Sequence, residues 1–139
     1  MNDTPRTKWI GAAVLLGALY AVVGILFALP TSHVKIWRLA AWAVSMLAFL
    51  AHAAYERRRL GNPPGIAAFH NAVGVAIGGF GLAVGANVHS FFTSSTTHIR
   101  PMLALSLLIW PIITAVPAYL VGLVLHFILV QLRLGQEPT

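Results

Sequence analysis

Charge in this chain is confined to a few short bands, and the runs between them are long enough to cross a bilayer. No Asp, Glu, Lys or Arg occurs from Trp9 to Val34, from Leu39 to Tyr55, from Leu60 to Ile99, or from Pro101 to Leu132. A spanning helix needs about 20 mainly apolar residues. Backbone groups in hydrocarbon have no water to bond, so runs of this length must satisfy themselves as helices. They are too long for barrel strands and lack the strand alternation of apolar and polar residues. The expected fold is therefore all-α: an integral membrane bundle of four transmembrane helices, with spans at about 9–29, 36–55, 65–92 and 101–132. Such spans leave only short loops within 139 residues, which implies a single transmembrane domain over 1–139.

Composition agrees. The chain is 58% hydrophobic and 9% charged, where a soluble domain is about a quarter charged. Cysteine is absent, which excludes disulfides, thiolate metal sites and iron–sulfur clusters together. The net charge of +6 belongs to residues that flank apolar runs, where they meet anionic lipid headgroups and set topology. The lipid bilayer is thus the expected partner, and nucleic acid is not. A secretory signal is the rival reading of the first run. Trp9–Leu29 is longer than the roughly 7–15 residues of a signal core, and Ala28-Leu29-Pro30 offers no small-residue cleavage site. It reads as a retained span.

Lys and Arg also set the orientation. Arg6, Lys8, Arg57, Arg58, Arg59 and Arg133 fall on one side, and Lys35, Arg38 and Arg100 on the other. The positive-inside rule places both termini in the cytoplasm, in a multi-pass protein of a bacterial-type inner membrane.

Span three carries a stripe of Gly74, Gly78, Gly81 and Gly85, and span one a matching stripe of Ala13, Gly17, Ala21 and Gly24. Small residues let helix backbones approach closely in lipid. Two readings stay open: packing within one chain, or the interface of a homo-oligomer.

The orientation sorts six histidines into two layers. His52, His70 and His126 come from spans two, three and four, near the cytoplasmic ends. Glu56 lies one turn beyond His52 on the same helix face. His33, His89 and His98 gather toward the outer side. Ionisable groups in spans are costly and tend to face a bundle interior. His52, Glu56, His70 and His126 could bind a transition metal. Two of the three histidines could hold a b-type haem, or the set could relay protons. Asn71 and Tyr119 are candidate supporting groups. Against these stand structural roles, with each His bonded to a neighbouring backbone and Glu56 offset by an adjacent Arg.

Span four contains Pro111 and Pro117, each of which can kink the helix or open it as a gating element. No arrangement typical of an enzyme emerges, so a non-enzymatic role is favoured. The functional expectation is a small polytopic membrane protein, homo-oligomeric or part of a larger membrane complex, with a polar His/Glu layer near the cytoplasmic face. The alternatives are a membrane-embedded redox or transferase enzyme acting on a quinone or lipid-like substrate, or an accessory subunit with no chemistry of its own.

Overall fold

A computed structural model describes residues 5–93 and 100–134. Four long helices follow in order: α1 (Pro5–Ala28), α2 (Val34–Tyr55), α3 (Pro64–Thr93) and α4 (Arg100–Leu134). There are no strands among the described residues. All four helices are long and apolar enough to cross a membrane. Their bounds fall within a few residues of the expected spans, the usual scatter for helix ends.

Local chemistry explains the breaks. α1 stops two residues before Pro30, which cannot continue a helix. α2 starts from His33, whose backbone is left-handed (φ 54°) and whose side chain makes no capping bond. At its other end α2 runs into a π-helical turn, Glu56–Leu60, closed by Gly61 at φ 63°. Glycine carries no Cβ and takes this left-handed geometry freely. Pro64 then opens α3 at the position where its missing N–H costs nothing.

α3 is the central helix. The glycine stripe packs on α1 inside one chain. A Cβ added to Gly74 would lie 2.8 Å from a Leu16 methyl, and one on Gly78 would lie 2.6 Å from Tyr20 Cβ. The stripe of α1 answers it. A Cβ on Gly17 would strike Ile77, and one on Gly24 would strike Leu82. Because Leu16, Tyr20 and Ile25 meet Gly74, Gly78 and Gly85 in turn, α1 and α3 run parallel. The small-residue stripes thus serve intramolecular packing.

A second seam joins α3 to α4. A Cβ on Gly122 would lie 3.2 Å from the Ala68 backbone, and one on Gly79 would lie 2.6 Å from Thr114 Oγ1. These pairs run in opposite directions, so α3 and α4 are antiparallel. Asn87 clamps the far end of the seam. Its Nδ2 donates to Ala83 O at 2.8 Å, to Leu103 O at 2.8 Å and to Ser106 Oγ at 3.3 Å.

The four helices pack as an open row, α2–α1–α3–α4, an arrangement the spans alone do not specify. α2 rests on α1 and meets α3 weakly; α2 and α4 occupy opposite edges. Half of the most apolar window of α3 is buried, against 6% for α2. The reason is visible in the residues. α3 has small residues on two faces, while the buried residues of α2, Phe49, His52 and Ala53, sit only at its C-terminal end. α4 continues unbroken through Pro111 and Pro117. Thr114 Oγ1 donates to Trp110 O (2.8 Å) between the two prolines.

Candidate functional site

The site lies at the end of the row that carries Lys8 and Arg57–Arg59. Glu56 is its centre. Its side chain is fully buried, in a chain with only three acidic residues. The π-helical turn that begins at Glu56 lies against α1 as well as α2. Both carboxylate oxygens are engaged. Oε2 accepts a hydrogen bond from Asn62 Nδ2 at 2.7 Å. Oε1 lies 3.1 Å from His70 Nδ1 and 3.6 Å from His52 Nε2. With the carboxylate ionised, His70 Nδ1 must carry the proton of that hydrogen bond. The His52 separation is too long for a hydrogen bond and leaves Nε2 in electrostatic contact only.

His70 is fixed from its other side by α1. Its ring stacks on Trp9 with centroids 4.0 Å apart and an interplanar angle of 2°. Trp9 reads from sequence as a residue of the interfacial aromatic belt. The parallel packing of α1 on α3 brings it over the histidine instead. No sequence signal marks this role, because it depends on how two helices are rotated. Asn62 lies in the short link between the π-helical turn and α3, and that link returns it to Glu56.

Glu56 therefore faces histidines rather than its arginine neighbours. No Lys or Arg pairs with it among the described residues. Arg58 and Arg59 are exposed, and Arg57 keeps a buried Nε without a hydrogen-bond partner.

His126 does not join this cluster. It is fully buried on the α3–α4 seam, with Nδ1 donating to Gly122 O at 2.8 Å and Nε2 without a hydrogen-bond partner. Asn71 lies three residues after Ala68, which meets Gly122 of α4, and three before Gly74, which meets Leu16 of α1, so it sits between the two seams. Asn71 is also fully buried, and neither of its side-chain polar atoms has a partner. Tyr119 is half-buried on α4, and none of the site's hydrogen bonds reaches it. At the opposite end of the row His33 and His89 are exposed, and His98 lies outside the described residues.

The candidate residues thus divide into a Trp9–His52–Glu56–Asn62–His70 cluster, with Asn71 and His126 each buried outside it. The four-residue metal set His52, Glu56, His70 and His126 is not gathered. Among the described residues no group of three or more His, Cys, Asp or Glu is arranged to hold a metal ion. A haem between His70 and His126 meets a steric obstacle, because α3 and α4 are in backbone contact at Ala68 and Gly122. A flat macrocycle needs a slot there, and the glycine closes it. What the cluster offers chemically is a carboxylate and two imidazoles within reach of one shared proton. No family model, curated protein or solved structure matches the chain.

Proposed function

We propose that this chain is a multi-pass membrane protein with both termini cytoplasmic, and that the His52–Glu56–His70 cluster takes up and passes protons at the cytoplasmic side. The supporting observation is a fully buried carboxylate whose only ion-pair partners among the described residues are imidazoles. An uncompensated charge is costly in a low-dielectric interior. With Glu56 ionised and both histidines neutral the cluster carries one negative charge; one added proton makes it neutral. That step is what a buried site accepts readily, and imidazole gains and loses protons near neutral pH. Ionisable groups held inside spans commonly serve such relays. The membrane reading rests on the exposed apolar surface. α2 leaves Leu39, Trp42 and Leu47 exposed, and α4 leaves Met102, Leu108 and Phe127. A water-soluble monomer rarely shows apolar patches on this scale.

Proteoliposomes holding a pH-sensitive dye test the proposal. An imposed potential should drive proton entry through the wild-type protein. Glu56→Gln keeps the size and hydrogen-bonding capacity but cannot ionise, and should slow entry at least tenfold. Wild-type entry no faster than in empty liposomes, or undiminished entry in Glu56→Gln, would overturn it.

A further inference from the structure

A groove of about 480 Å³ runs between α1 and α2 beside the cluster. Small residues open it: Gly11 from α1 and Ala51 from α2 line it, and a Cβ on Gly11 would meet nothing within 4 Å. Leu15 and Leu19 carry its apolar wall away from the charged end. At the charged end stand Lys8 and His52, and no acidic residue lines it. Lys8 is exposed, and the exposed Arg58 and Arg59 belong to the same end of the molecule.

The dimensions fit one kind of occupant. From Lys8 to Leu19 the groove follows α1 for about 16 Å, at roughly 1.5 Å per residue. One leaflet of a bilayer core is about 15 Å deep. A cation at the headgroup level and an apolar trough one leaflet long match the head and one acyl chain of an anionic lipid.

We propose that this groove is a binding site for an anionic phospholipid of the cytoplasmic leaflet. The phosphate meets Lys8, and one acyl chain lies along Leu15 and Leu19. The proposal rests on the membrane reading above and not on proton transfer, because among the described residues no hydrogen bond or ion pair joins Lys8 to Glu56.

Native mass spectrometry of the full chain, released from detergent with phosphatidylglycerol or phosphatidylcholine of identical chains, provides the test. Phosphatidylglycerol should be retained preferentially. Lys8→Gln, at an exposed position, should cut that preference about fivefold, the worth of one basic residue at an anionic surface. Ala51→Leu fills the trough and should reduce retention of both lipids. Equal retention of the two lipids by the wild type, or a preference that survives both variants, overturns the site. Either result leaves the membrane reading intact, because that reading fails separately if the protein does not insert into liposomes. Displacement of phosphatidylglycerol by a neutral quinone at equal concentration would also overturn it, since Lys8 offers a quinone no charge to pair with.

Discussion

The α1–α3 seam can be tested one methyl group at a time. A Cβ on Gly78 would lie 2.6 Å from Tyr20 Cβ and 3.3 Å from Gly17 O. Carbon atoms prefer about 3.5–4.0 Å, so α1 would have to retreat by about 1 Å. Neither obstacle is the end of a flexible chain; one is a Cβ and the other a backbone oxygen. Gly78→Ala should therefore cost about 1–3 kcal/mol, the usual range for overpacking. Gly85 provides the control on the same stripe. Its added Cβ would meet only Ile25 methyl and methylene carbons, at 3.4 and 3.7 Å, which is ordinary contact. Gly11 provides a second control, with nothing within 4 Å. Both should be neutral as Ala, or slightly more stable. Unfolding in mixed micelles of rising denaturing-detergent content, followed by helical ellipticity, ranks the three variants. The order Gly78→Ala least stable, then Gly85→Ala and Gly11→Ala near wild type, follows from intramolecular packing. If Gly78→Ala leaves the midpoint unchanged but dissociates an oligomer by size exclusion, the stripe serves subunits and the reasoning fails.

Two further substitutions probe buried polar groups. Asn87→Leu removes two hydrogen bonds that tie α3 to α4, with a third inside α3, and should lower stability by about 0.6–2 kcal/mol, the range for interhelical bonds in membranes; an unchanged unfolding midpoint would show the clamp to be idle. Asn71→Leu should do the opposite. Its buried amide has no partner to lose, so replacing it removes an unmet desolvation cost of about 1–3 kcal/mol. The midpoint should rise, and a fall of similar size would show that Asn71 holds a structural bond.

The sequence made the helices legible because lipid leaves the backbone no other choice, and the charge bands mark where the apolar runs stop. It made the partners of those helices legible only where small residues left a mark. Gly74 and Gly78 announced a close approach, yet the same spacing suits a partner in another chain. Rotation about the helix axis was hidden. That is why His126 was grouped with His52 and His70: equal depth placed it in the same layer, while its azimuth turns it to the α3–α4 seam. Trp9 was missed for the complementary reason. Its position near a span end fits an interfacial role so well that nothing in the residue itself points to His70. Asn87 is a polar residue inside an apolar run, which is a usable signal for an interhelical bond.

Glu56 shows how closely anchoring and chemistry are joined here. α2 is exposed over most of its length, and its buried residues are confined to the stretch that leads into Glu56. The hydrogen bonds to His70 and Asn62 therefore hold the end of a peripheral helix as well as a carboxylate. Deleting the side chain would loosen α2 and remove the titratable group together, and a loss of function would carry no information about either. Glu56→Gln separates them. Its amide oxygen can still accept from His70 or Asn62, so the anchor keeps most of its geometry, while the exchangeable charge is gone. A Glu56→Gln protein that keeps the wild-type unfolding midpoint but loses proton entry assigns the carboxylate to chemistry. One that loses both assigns it to holding α2 in place.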